Sequence, residues 1–359
     1  MSHYPLGNDF LLRKAVESDR ENVIAIVSKM WGEDISERYQ WLYLSNPHGR
    51  ALTWLAIEQA TDEVVGCTSI FPRKVMVDGV ERRGSIGGDC YIDPRARRRG
   101  LATALHCISL KEMHEHQVDF MYGPPNPNNF AALIKAGSHG VTQFRRFVRP
   151  LQGRSVYRFA FDRAPSKLEA RIAGLPIRLL DRVTKVDASG LMIEQVSEFS
   201  EEFDVMFEEA DTSKGMVLVR DSKYLTWHYL QGTSRKQIPF AIRCDGKLVG
   251  LTALEFADDH AAIVELFTIG DVKLMDATLQ LLLSKTAAMG YAILEISCTP
   301  DGLAASRLQR LGFMGRSERG FQVAVAEDDP QRKILLNSEN WNFLAADQDM
   351  DSFFSPMPE

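Results

Sequence analysis

The residues best suited to chemistry lie in one run, Asp89-Cys90-Tyr91-Ile92-Asp93-Pro94-Arg95-Ala96-Arg97-Arg98-Arg99-Gly100-Leu101-Ala102-Thr103. The residues up to Ile92 predict a strand, Asp93-Pro94 a turn, and the apolar spacing after Gly100 a helix of about 100–115. A helix start leaves backbone amides unpaired and carries partial positive charge, and Gly100 with the small Ala102 lets an anion approach the backbone closely. The helix dipole alone contributes only about 0.3–1 kcal/mol per anion, so several amides and extra positive charge are needed. Arg95, Arg97, Arg98 and Arg99 supply that charge. The run is built for a phosphate.

The rest of the sequence must hold this run in place. With 359 residues, 45% apolar and 25% charged, the composition is that of a folded globular chain long enough for two domains or one large one. The net charge of −6 gives no whole-molecule positive field for nucleic acid or an anionic membrane, so phosphate binding must be local and neither is expected as a partner. Five scattered cysteines with no CxxC pair, and His106, His114 and His116 at spacings that do not share one face, argue for reduced thiols and no metal site. The N-terminus lacks the order of a secretory signal and no apolar run approaches a membrane span, so a cytoplasmic location is expected.

Phe10–Ala15 reads as a first strand, Ser18-Asp19-Arg20-Glu21 as a capping box, and Val23, Ile26, Val27 and Met30 as the apolar stripe of a following helix. Residues 52–58 and 64–71 form a hairpin, and Asp78-Gly79 marks a two-residue turn into a strand running towards 92. A strand at 118–122, a helix at 127–136 and a strand at 142–148 complete the first half. The second half repeats these landmarks. Trp41-Leu42-Tyr43-Leu44 matches Trp227-His228-Tyr229-Leu230, Val65-Gly66 matches Val249-Gly250, and Gly137 matches Gly312, at offsets of 186, 184 and 175. The matched aromatics are expected to pack against their own sheets. An α/β (α+β) fold of two tandem domains follows: residues 1–149, a connector 150–189 rich in arginine and partly helical, residues 190–328, and a polar tail 329–359.

Ile92-x-Pro94-x-x-Arg97-x-x-Gly100-x-Ala102 resembles the acyl-CoA signature of the GNAT acyltransferase superfamily, and Tyr122-Gly123-Pro124-Pro125-Asn126 followed by Gly137 keeps that family's order. The resemblance implies two GNAT-like domains, each a mixed, mostly antiparallel sheet flanked by helices. It implies that amides from Arg98 through Arg99, Gly100, Leu101 and Ala102 to Thr103 cradle the CoA pyrophosphate. Arg97 takes the signature's basic position, Cys90, Tyr91 and Ile92 hold the acyl carbonyl and pantetheine, and Asn126 either contacts the cofactor or caps a helix. The cosubstrate is acetyl-CoA and the reaction direct transfer to a primary amine.

Producing a neutral amine of pKa ~10.4 at pH 7 costs about 4.6 kcal/mol, so a base is useful. Asp89 is the candidate, with a strand-edge carboxylate paired to Arg82, Arg83 or another cation as the structural alternative. The family's thiolate-protonating tyrosine is replaced by Leu133, so Tyr122 is the substitute acid candidate, packing being the alternative. Cys90 is read as a small buried apolar residue rather than a nucleophile. In the second half Val264–Lys273 lacks the RxxGxA pattern and carries Asp271 where an anion would be repelled, so that half is expected to shape the acceptor site. The Trp41–Pro47 stretch resembles GNAT proteins of polysaccharide loci, which points to an amino-sugar acceptor. A possible homo-oligomer, a non-catalytic acyl-CoA sensor and an aminoacyl-tRNA-dependent transferase stay open.

Overall fold

In the computed structural model, residues 4–161, 163–232 and 236–348 are described. Fourteen strands make one sheet. They are β1 Tyr4–Leu6, β2 Phe10–Lys14, β3 Leu52–Glu58, β4 Glu63–Val77, β5 Val80–Ile92, β6 Phe120–Gly123 and β7 His139–Pro150, followed by β8 Leu191–Gln195, β9 Met216–Leu218, β10 Ile238–Cys244, β11 Lys247–Ala257, β12 His260–Thr268, β13 Ile293–Cys298 and β14 Met314–Val325. Their spatial order is β1-β2-β3-β4-β5-β6-β14-β7-β13-β12-β11-β10-β8, with β9 beside β4. Among the described residues, only β5/β6 and β12/β13 pair in parallel.

Local chemistry explains the hairpins. Asp78 and Gly79 both take positive φ (47° and 77°) between the paired Val77 and Val80, the conformation whose twist matches the flanking strands. The expected capping box is replaced. A 3₁₀ turn, Glu17–Asp19, starts ahead of Ser18, and its third residue Asp19 accepts from the Val16 amide at 2.8 Å while also binding Arg13 at 2.6 and 2.8 Å. The helix Arg20–Trp31 follows without a side-chain cap.

If β2 to β7 are matched in order with β8 and β10 to β14, the strand order reads the same from either end. The last strands of the two halves are exchanged: β14 pairs with β6, and β7 pairs with β13. The boundaries read from the sequence therefore cut the chain where the sheet does not divide. The centre shows the same two-fold relation. Residues Tyr39–Leu44 and Thr226–Leu230 both form π-helical turns. Trp41 and Trp227 stack with ring centroids 4.9 Å apart, and each indole donates to the other's backbone carbonyl at 3.0 Å. These aromatics pack on each other across the seam and not only on their own sheets.

One face of the sheet carries a single shared core, with Val27 of the first half and Phe203 of the second in the same cluster. The other face carries two separate cores, one under helix Leu101–Glu112 and one under helix Val272–Ala288. Residues 341–347 run into the molecule as a buried strap. Trp341 and Phe343 are fully buried, and Leu344 bridges to Cys298.

Candidate active site

β5 pairs with β6 only from Gly84 to Ile86, opposite Phe120 to Tyr122. From Gly87 onward it diverges. On its other side a bulge sets Asp89 and Cys90 against Thr68, between the pairs Ser69–Gly88 and Cys67–Tyr91, and Asp89 takes φ 45°. The strand thus offers unpaired backbone groups along one edge just where the signature begins.

Beyond the strand, Asp93 accepts from the Arg95 amide at 3.2 Å and closes a 3₁₀ turn over Pro94–Ala96. Arg97 donates from Nε to the Ile92 carbonyl at 3.0 Å, so this arginine also ties the turn to the strand. Arg98 and Gly100 have positive φ (64° and 78°), and Gly100 is the N-cap of Leu101–Glu112 with no side-chain cap. Ala104 donates the first helical bond, to Gly100, which leaves the earlier helical amides facing out. They face a cleft of about 590 Å³.

Cys90, Tyr91, Ile92, Arg97, Arg98, Gly100, Leu101, Ala102, Thr103 and Asn126 all line that cleft, joined by Ala96, Asn128 and Asn129. Arg99 does not. It turns to Asp9, 3.7 Å away, and to the ring of Phe10, because successive residues at a helix start point in different directions. Asn126 lines the cleft and caps helix Pro127–Lys135 through the Asn129 amide at 2.9 Å, so its capping reading holds. No carboxylate is among the lining residues.

Asp89 lies just beneath the cleft floor and not on it, its side chain 1% exposed. It is paired to a cation, as the structural alternative has it, but the cation is Arg38 and the pair is buried rather than at a strand edge. Oδ2 accepts from Arg38 and from the Tyr43 hydroxyl, both at 2.6 Å, and Oδ1 from Trp31 Nε1 at 3.1 Å. Arg38 and Trp31 carry no local signal linking them to residue 89, whereas Tyr43 was visible as part of the repeated aromatic stretch. Tyr122 is fully buried on the shared-core face, its ring 5.1 Å from that of Trp341. Burial pushes its hydroxyl well above the ordinary range, and that hydroxyl is not presented to the cleft. Burial likewise pushes the Cys90 thiol up to about 12. His106, behind Cys90 at 3.5 Å and held by Asn129 at 2.6 Å, is lowered to about 4 by burial and is neutral.

The second half reproduces this frame with different contents. The pairs Gly66–Ile92 and Gly250–Thr268 occupy matching places, and three residues before Ile92 and Thr268 stand Asp89 and Glu265. Each carboxylate has a tyrosine and an arginine. Tyr229 donates to Glu265 at 3.4 Å and Arg220 binds it at 2.9 and 3.1 Å, with Asp347 as a further partner of Arg220 at 3.1 Å. At the helix start, however, Asp271 accepts from the amides of Lys273 and Leu274 at 2.9 and 3.2 Å. That anion site is filled by the chain itself.

A model of the acetyltransferase (GNAT) domain matches residues 12–131. No curated protein matches the sequence. Among solved structures, a conserved protein of unknown function from Enterococcus faecalis V583 superposes with a TM-score of 0.63 at 12% identity, covering 89% of this chain and 73% of that one. A GCN5-related N-acetyltransferase from Anabaena variabilis gives 0.61 at 14% identity, covering 88% and 72%. Saccharomyces cerevisiae N-myristoyltransferase with bound myristoyl-CoA gives 0.57 at 13% identity, covering 91% and 81%. The shared architecture spans most of the chain, and residues 12–131 match the acetyltransferase (GNAT) domain.

Proposed function

We propose that the protein is an acyl-CoA-dependent N-acyltransferase that moves an acetyl group from acetyl-CoA directly to a primary amine. One observation carries this reading. An uncapped helix start, with Arg97 and Arg98 beside it, opens onto the same cleft as the diverging end of β5. Phosphate oxygens suit the first and an extended amide chain suits the second.

A thioester bound there supplies the acyl group: the amine nitrogen adds to the carbonyl carbon, the C–S bond breaks and CoA departs as a thiolate. In this reading the amides from Arg98 to Thr103 hold the pyrophosphate, and the bulged strand at Cys90, Tyr91 and Ile92 orients the acyl carbonyl. Asp89, tied to three donors, fixes the bulge through Arg38 and Tyr43, and we assign it a positioning role rather than proton removal. Tyr122 is left out of the reaction. A thiol of pKa near ~8.5 leaves without an obligatory acid, and with no carboxylate on the cleft wall the amine sheds its proton to water. The second half, its own helix start self-capped, is assigned a supporting role in shaping the acceptor side. Amino sugars, free or nucleotide-linked, are the first acceptors to screen.

Calorimetric titration with acetyl-CoA, and separately with CoA, tests the reading directly. One site per chain and acetyl transfer to an amine in the screen, with a rate that climbs as the acceptor amine deprotonates, is the expected result. No CoA binding would overturn it, and binding without turnover on any amine would make the protein a sensor of acyl-CoA.

A further inference from the structure

The segment joining the two halves is not a passive connector. After helix Gly153–Phe161 come helices Lys167–Ala173 and Leu175–Val183, and neither of these two buries a single side chain. Yet Leu168, Ile172, Leu175, Leu179 and Val183 recur at steps of three and four and stand between 56% and 71% exposed. That spacing keeps them on one stripe across both helices, and Phe161 adds an exposed ring just before them. An apolar stripe of this length left to water is unusual on a folded surface.

The charge around it is equally one-sided. Residues 153–185 hold eight Lys/Arg against three Asp/Glu, in a chain whose net charge is −6. All eight basic residues are exposed. Lys167, Arg171, Arg178 and Arg182 each immediately precede a stripe residue, which places them about 100° round the helix, along one flank of the stripe. The opposite, polar edge is anchored to the body. Arg149 pairs with Asp181 and Leu180 rests on Gly312, and within the segment Tyr157 donates to Glu169 at 2.6 Å. The segment is held by one edge and turns its apolar edge outward.

We propose that this face docks on an anionic phospholipid bilayer, with the aliphatic stripe at the acyl boundary and the basic flank among the headgroups. Charge selects this occupant over a second copy. A two-fold pairing of the stripe with itself would bring two segments of local charge +5 together, and like charges oppose it. The expectation that no membrane is involved rested on a charge averaged over the whole chain, and the average hides this local +5. Nothing here depends on the acyl-CoA cleft.

The test is co-sedimentation of the full chain with large vesicles of phosphatidylcholine alone or mixed with phosphatidylglycerol. Partition into the anionic vesicles only, weakened by added salt, is expected. Reversing charge at Arg171 and Arg178 (Arg171→Glu with Arg178→Glu) should weaken partition by well over 25-fold, roughly five-fold for each arginine lost and more from repulsion of the two new carboxylates. Leu168→Glu with Leu179→Glu should abolish it. Both pairs are exposed, so circular dichroism and CoA titration should be unchanged. Failure to bind anionic vesicles, binding indifferent to the Leu168/Leu179 pair, or a concentration-dependent dimer that this pair dissociates would each overturn the proposal.

Discussion

Partway along β5 and partway along β12 a parallel neighbour is lost, after Ile86 in one strand and after Ile263 in the other, and a helix start follows each. At the first, Gly100 leaves the amides open; at the second, Asp271 fills them with its own carboxylate. Beneath both stands a buried carboxylate with a tyrosine and an arginine, Asp89 in one and Glu265 in the other. What the halves share is what holds a bulged strand in shape; what they do not share is the vacancy for an anion. This contrast separates scaffold from chemistry. It is also why Asp89 reads here as scaffold, since a residue needed only for catalysis has little reason to recur in a half whose anion site is closed.

The largest effect should come from acid. Burial lowers His48 and His106 of the first half to about 4 and His228 of the second to about 3, so each is neutral when folded. The unfolded chain binds more protons between the folded values and about 6.5, so stability falls as pH drops through that window, by up to about 1.4 kcal/mol per pH unit for each histidine. Because the sheet is continuous, denaturant melts from pH 7 to 4 should show one transition moving down. Two transitions would mean that the halves unfold separately.

Next in size are the paired carboxylates. Asp89→Asn leaves Arg38 buried without its counter-charge and should cost about 3–5 kcal/mol. Glu265→Gln should cost less, since Arg220 keeps Asp347. Turnover lost on Asp89→Asn without loss of stability would end the symmetry and make Asp89 the base. Gly100→Asp puts a carboxylate at the matching cap position, although on a left-handed rather than an extended backbone. It should weaken CoA affinity by about 100-fold or more, the equivalent of two hydrogen bonds to a charged group, in a protein that still folds. The reverse change is the mildest: Asp271→Ala should cost about 1 kcal/mol by loss of the cap and leave CoA stoichiometry at one per chain. A second site appearing in that variant would show that only the cap kept the halves apart.

Much of this was legible in the sequence where the determinants are local. The Asp78-Gly79 turn, the hairpins and the strand, turn and helix around Gly100 are fixed by residues within a few positions of one another, and the structure has them near the expected places. The repeated Trp-x-Tyr stretches were visible, but not that the two tryptophans would bond each other's backbone, which is a property of the assembled seam. Arg38 and Asp89 lie 51 positions apart, and no periodicity links them. Tyr122 looked available because a strand end is usually open, and it is buried because residues 341–347 fold back over it. Even a local rule failed at Ser18, which lies inside a 3₁₀ turn that begins at Glu17 and uses Asp19 to hold the Val16 amide.

The exchange of β14 and β7 sets a schedule for the newborn chain. When residue 150 leaves the ribosome, β6 still has no neighbour on the side that β14 will fill, and β7 has neither of the partners it will keep. At synthesis rates of about 5–20 residues per second, roughly 10–35 s pass before Val325 is made. Through that interval the half that carries the cleft waits with an open strand edge, and it closes only once β14 of the other half has been made.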